Sequence, residues 1–179
     1  NYFLNVAQAR VEGVDMEVSY RMEPNFFSDS FESLSVRALA GYIIERADTP
    51  LGGTPTDVAG GYNTPKWTAN LTTSYSVGPL SYQLQMRHVD ASSLNTSWVE
   101  GVDVDDNSVA SSTWFNGQVG YTGETNSGST WNVALNVQNL FDKNPPIIAS
   151  YNSRAGSQNI SDSYDVYGRR YALTMNYNF

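Results

Sequence analysis

Four carboxylates, Glu100, Asp103, Asp105 and Asp106, fall within seven residues, and Trp98 stands just before them. Oxygen ligands at that density are what a hard cation needs. An indole beside them offers a flat apolar surface for a ring. The stretch lacks the spacing and closing Glu of an EF-hand, so two readings stand: a hydrated acidic loop, or a ligand or cation contact. Tyr151 is the second aromatic candidate. With Trp98 it could stack on a sugar or an aryl group, or it could pack within its own loop. His88 is the only histidine, and it falls on the apolar side of an alternating stretch. No Ser or Asp is tied to it, so it reads as an interfacial residue rather than a base or metal ligand. No nucleophile–base arrangement and no glycosidase-like carboxylate pair can be identified. The expectation is therefore no enzyme: no catalytic residue, no metal site and no cofactor. Gly52-Gly53 and Gly60-Gly61 lie among Thr and Pro and read as a mobile loop, without a phosphate-binding pattern.

Composition narrows the classes further. The 179 residues contain no cysteine, which rules out a disulfide, a thiolate nucleophile and a Cys metal site in this chain. Ten Lys and Arg against eighteen Asp and Glu give a net charge of −8. A nucleic-acid partner is disfavoured, because no basic stripe is available to neutralise phosphates. Aromatic residues are plentiful, with 12 Tyr, 7 Phe and 4 Trp.

The elements that must position these residues are strands. Seven stretches alternate apolar with polar residues: Arg10–Met22, Ser33–Arg46, Lys66–Val77, Leu80–Val89, Ser111–Thr122, Thr130–Gln138 and Arg170–Phe179. In the last, Tyr171, Leu173, Met175, Tyr177 and Phe179 share one parity, while Ala172, Thr174, Asn176 and Asn178 share the other. The second is less regular, since Leu39 and Ile43 sit on its polar side. No helix period of comparable length appears, and no apolar run approaches the roughly 18 residues of a spanning helix. Alternating spans of about 9–11 residues suit a transmembrane barrel instead. Short connections at Glu23–Glu32, Gly78-Pro79 and Gly123–Ser129 alternate with long ones at Ala47–Pro65, Asp90–Ala110 and Asn139–Arg169. Antiparallel neighbours then put every long loop at one end, as outer-membrane barrels do.

On this reading Trp67, Tyr75, Tyr82, Tyr121, Trp131, Tyr171, Tyr177 and Phe179 populate the lipid-facing band and its interfacial belts. Asp15, Glu17, Arg21, Arg37, Lys66 and Arg87 fall on the lumen parity, to pair with one another, to hold another domain, or simply to be hydrated. Seven strands alone leave two open edges in lipid. The expected account is the carboxyl-terminal part of a larger barrel. The alternatives are a further strand in Asn1–Gln8 or in the long loops, or a soluble sheet protein. Asn1–Arg10 carries no secretory signal. Such a signal has been removed, or Asn1 lies inside a longer protein.

Several motifs point one way. Asn136-Val137-Gln138-Asn139-Leu140-Phe141-Asp142-Lys143 resembles the N-L-F-D-K segment of TonB-dependent outer-membrane receptors. Tyr167-Gly168-Arg169-Arg170-Tyr171 with a final Phe179 resembles the last strand of that family. Asn5 to Glu17, with Ala9, Gly13, Val14, Asp15 and Glu17, resembles its N-x-x-x-A-x-x-x-G-V-E-x-E strand, with Asp15 where Glu is commoner. Pro65-Lys66-Trp67 with Asn70-Leu71 and Tyr75 resembles the strand after an outer loop.

The resemblance implies an all-β antiparallel barrel of about 22 strands around a plug. This chain would be its last seven strands, residues 1–179, without the plug domain or the TonB box. It implies the bacterial outer membrane, and active uptake of a scarce ligand. Iron–siderophore complexes are the default class; vitamin B12, other metal chelates and oligosaccharides are further options. Implied partners are outer-membrane lipid, the remaining barrel and plug, the TonB complex through the absent region, the β-barrel assembly machinery and a small-molecule ligand. Outer-loop ligand candidates are Trp98, Glu100, Asp103, Asp105, Asp106 and Tyr151. Asn139, Leu140, Phe141, Asp142, Gly168, Arg169 and Phe179 carry the family pattern and are expected to be architectural. A passive porin-like channel and a soluble β-sandwich binding module are the competing readings.

Overall fold

The computed structural model describes residues 6–27, 30–146 and 164–179. Alternation dictates strands, and the described residues form ten of them with no helix. Seven are long: β1 (Val6–Met22), β2 (Glu32–Pro50), β4 (Trp67–Val77), β5 (Leu80–Val89), β8 (Ser112–Glu124), β9 (Thr130–Gln138) and β10 (Arg170–Asn178). Three are two-residue pieces in the long loops: β3 (Thr56–Asp57), β6 (Ser92–Ser93) and β7 (Ser108–Val109). The long strands pair antiparallel in chain order, β1-β2-β4-β5-β8-β9-β10. Among the described residues β1 and β10 are paired on one side only, so this sheet is an open wall.

The register aligns the faces across the whole wall. Tyr20, Val36, Thr73, Leu84, Gly117, Val137 and Tyr171 form one transverse row. Met22, Leu34, Tyr75, Tyr82, Val119, Leu135 and Leu173 form the next. Between these rows, on the opposite face, run Arg21, Ser35, Ser74, Gln83, Gln118, Asn136 and Ala172. One face is therefore apolar and the other polar over the width of the sheet.

No second layer covers the apolar face among the described residues. Val18, Tyr20, Leu173 and Met175 are each at least 60% exposed, where a soluble sandwich would bury them. The buried apolar cluster is small: Val89, Val109, Trp114 and Tyr164, with Tyr62 and Leu94 against it. It lies where the long loops meet the ends of β5 and β8, and does not extend along the apolar face of the sheet.

Two irregularities have local causes. The β1–β2 register shifts between Glu12↔Glu45 and Gly13↔Ile43, leaving Ile44 as the extra residue of a β-bulge. A Cβ on Gly13 would stand 2.7 Å from the Tyr42 carbonyl oxygen, so the bulge closes only over glycine. Ile43 and Leu39 keep the polar parity, paired with Gly13 and Glu17, as the sequence pattern had them. The β4–β5 hairpin turns on Gly78-Pro79 with Gly78 at φ 53°, the positive φ of a type II′ turn. β1 and β2 run beyond their expected limits, to Val6 and Pro50.

Candidate functional site

The polar face and the long loops are where a solute would meet this wall. On the polar face Arg37 Nε donates to Glu17 Oε1 at 2.8 Å, joining two of the expected lumen charges. Arg87 stacks on Trp114, its guanidinium carbon 5.1 Å from the ring centroid. Trp114 is buried, so the plate beneath the cation is fixed. Arg170 is held on both sides: its Nη2 lies 3.1 and 3.2 Å from the Asp165 oxygens, and it stacks over Tyr167 at 4.8 Å. Arg87, Trp114, Asp165, Tyr167 and Arg170, with Gln85, Asn116 and Gln138, line a polar cleft of about 380 Å³. Sequence reasoning placed Arg87 on this face but missed the cleft, which needs the segment 164–167 folded back over β8–β10.

The loops between β2 and β4 and between β5 and β8 are tied together. Tyr62 N donates to Ser93 O at 2.9 Å, and Ser93 N donates to Gly60 O at 2.8 Å. Thr96 Oγ1 donates to the Asp57 carbonyl at 2.9 Å. Asp57 braces its own loop by accepting the amides of Ala59 at 2.9 Å and Arg46 at 3.1 Å. Those two amides hold its carboxyl below the usual aspartate range. Beneath this junction, Arg46, Asp48, Tyr62, Leu94 and Thr96 border a second cleft of about 330 Å³.

The acidic stretch serves its own backbone. Asp103 Oδ2 accepts the Val99 amide at 2.8 Å, and Asp106 Oδ1 accepts the Ser108 hydroxyl at 2.6 Å and amide at 2.8 Å. The Ser108 hydroxyl, and then its amide, lower the Asp106 pKa below the usual range. Glu100 Oε2 accepts Asn107 N at 3.4 Å, while Asp105 is exposed. Asn107 is the organiser that sequence reasoning missed. Its side-chain nitrogen donates to the carbonyls of Asn95 at 2.9 Å and Trp98 at 3.2 Å. Trp98 is half-buried by this fold. Among the described residues no three His, Asp or Glu side chains are grouped to hold a metal ion. Tyr151 lies outside the described residues. His88 shares the apolar parity of Ala69 and Met16, with Nδ1 2.7 Å from Thr113 Oγ1.

The family-pattern residues make a knot at the base of the longest loop. Asn139 is fully buried and takes φ 51°. Its Nδ2 donates to the Lys143 carbonyl at 2.9 Å, and its Oδ1 accepts the Lys143 amide at 2.8 Å. Leu140 N bonds to Phe115 O at 2.7 Å, and the rings of Phe141 and Phe115 meet edge-on at 5.5 Å. Asp142, at φ 55°, accepts the Arg169 amide through Oδ1 at 2.9 Å. A Cβ on Gly168 would stand 3.1 Å from that same oxygen, and Gly168 itself takes φ 70°. Phe179 packs edge-on against Tyr177, centroids 4.9 Å apart.

The opposite face sets the wall's surroundings. Aromatic side chains gather near its ends. Tyr42 and Trp67 are 4.6 Å apart at the long-loop end. Tyr75–Tyr82 and Tyr121–Trp131 lie at 6.4 and 5.5 Å toward the short-turn end. Beyond Val14 the same side of β1 carries Glu12 and Arg10, paired at 3.1 Å. From Val14 to Met22 the strand climbs about 27 Å, or about 20 Å vertically at barrel tilt, close to the height of a bilayer's apolar band.

Comparison with known proteins agrees with this geometry. The family model described as TonB dependent receptor-like, beta-barrel matches residues 1–140. No curated protein and no solved structure matches.

Proposed function

Since the chain belongs to the TonB-dependent receptor-like β-barrel family, a family of bacterial outer-membrane transporters, we propose that it is the carboxyl-terminal wall of such a transporter. Its seven long strands join others into a barrel of about 22, which closes the two free edges and leaves no strand unpaired in lipid. The lumen holds a plug from a preceding region, which also carries the contact with the TonB complex. Ligand is captured by the long loops and drawn inward as the plug moves, with energy from the proton gradient. This chain supplies wall and capture surface. An iron–siderophore complex is the ligand class that the motif resemblance favours. Trp98, with the neighbouring carboxylates, is the outer-loop contact proposed for it.

One observation carries the reading: an apolar face of bilayer height, uncovered among the described residues, backs a polar face, and all long loops leave from the same end. The test is uptake by cells lacking the full-length protein, across ferric chelates, cobalamin and glycans. Loss of uptake for one class, restored by the gene and abolished by collapsing the proton gradient, is the expected result. Uptake that persists without the gradient would mean a passive, porin-like channel instead.

A further inference from the structure

Three short turns close the wall at one end, and one of them is unlike the others. The β8–β9 turn is Thr125, Asn126, Ser127, Gly128 and Ser129, and the β4–β5 turn is Gly78-Pro79. The β1–β2 turn instead carries Phe26 and Phe27, 67% and 61% exposed. Beside them lies an anomaly. Glu32 shares the parity of Leu34 and Val36, so its carboxylate belongs to the apolar face, yet it is only 2% exposed. Among the described residues no core covers it; Phe27 and Tyr75 close over it. Glu32 Oε1 accepts the Phe27 amide at 2.6 Å, and Oε2 accepts the Tyr75 hydroxyl at 2.7 Å. Each carboxylate oxygen is therefore satisfied without water, as a charge on this face requires. The same two bonds draw the backbone at Phe27 onto the outer side of β2 and β4. Phe26 consequently stands 6.5 Å from Tyr75, which is stacked on Tyr82 at 6.4 Å.

We propose that the β1–β2 turn is a membrane anchor that seats Phe26 and Phe27 in the headgroup layer of the phospholipid leaflet at the short-turn end. Glu32 is the positioning residue that folds it there. The partner is lipid because the turn continues the tyrosine belt of a face that already meets the bilayer, and aromatic rings partition to that interface. Phe31 is the built-in contrast. It is 72% exposed, but it precedes Glu32 by one residue and its carbonyl pairs with the Gly78 amide, so it falls on the polar parity. Exposure alone would send all three rings into lipid; the proposed geometry sends only Phe26 and Phe27.

The chain has no cysteine, so single fluorophores can be placed at F26C, F31C and L84C in the full-length protein, cysteine-free elsewhere. The reconstituted protein is then quenched by phospholipids brominated at shallow or deep acyl positions. The expected result is strong quenching at position 26 by shallow bromines, strong quenching at 84 by deep ones, and several-fold weaker quenching at 31. Equal quenching at 26 and 31, or none at 26, overturns the anchor. Adding E32A or Y75F to F26C, and separately to L84C, should lose most of the quenching at 26 while leaving that at 84 intact. The 84 signal reports that the barrel is still inserted, and Y75F serves where E32A fails to insert. Unchanged quenching at 26 in an inserted variant overturns the role of Glu32.

Discussion

Replacing Asn139 with alanine should loosen the base of the longest loop without unfolding the wall. The Asn139 side chain makes two hydrogen bonds to Lys143, at 2.9 and 2.8 Å, in a fully buried position. Each is worth about 1 kcal/mol net. Alanine also loses the local bonding that lets Asn sit at φ 51°, which costs about 1 kcal/mol more. The sum is about 3 kcal/mol, or roughly 100-fold in a local opening equilibrium. Asn139→Gly keeps the backbone relaxed and forfeits only the bonds, about 2 kcal/mol and roughly 30-fold. Asn139→Asp sets a carboxylate oxygen against the Lys143 carbonyl in a fully buried position, so it should cost at least as much as alanine. Hydrogen exchange on the folded full-length protein reads these openings directly. The amides to follow are Leu140, bonded to Phe115, and Arg169, bonded to Asp142. Their exchange should quicken more in Ala than in Gly, and in Asp at least as much as in Ala. Equal acceleration by Ala and Gly would refute the backbone argument. An unchanged Arg169 amide in all three would refute the idea that the two ends of the loop open together.

Leu84→Arg places a charge on the apolar face and should destabilise the inserted barrel by roughly 2–4 kcal/mol, while Gln83→Arg on the polar face should change it little; equilibrium unfolding from lipid vesicles separates them, and equal effects would contradict the assignment of faces. Asp57 has a depressed pKa from the Ala59 and Arg46 amides. Its bracing is therefore fully present above the ordinary aspartate range and is lost as pH falls through its lower folded value. Proteolysis of the loop between β2 and β4 should accelerate only at that acidic end, and Asp57→Asn should abolish the pH step. Trp98→Ala should weaken capture of a ring-bearing ligand by about 2- to 10-fold, the worth of one stacking contact. Binding to whole cells checks this, and unchanged affinity would remove Trp98 from the proposed site.

The long strands were legible because alternation has a period that survives over ten or more residues. Their outer extensions were not. The bulge at Ile44 breaks the phase of β2, and Ala47-Asp48-Thr49-Pro50 has no contrast to alternate. Leu39 and Ile43 looked like blemishes in the pattern. Ile43 sits at the bulge itself, and Leu39 remains an apolar residue on a polar face. β3, β6 and β7 are two residues each, too short for any period. The loop site was half legible. Residue type marked Asp103 and Asp106 as possible ligands, but only the fold reveals that they cap Val99 and Ser108. Asn107 carried no signal, because an organising amide looks like any other polar loop residue. Likewise, the family pattern singled out Asp142 and Gly168, but nothing local says that they meet across the loop.

That meeting has a mechanical consequence. The chain leaves β9 through Asn139 and Asp142 and enters β10 through Gly168 and Arg169, so a pull on either arm of the loop meets this junction before it meets a strand. The junction acts as a collar, isolating the two staves from a pull on either arm. A longer, shorter or wholly different insert should graft onto this collar while the two strands below keep step, so the loop can be exchanged without rebuilding the wall.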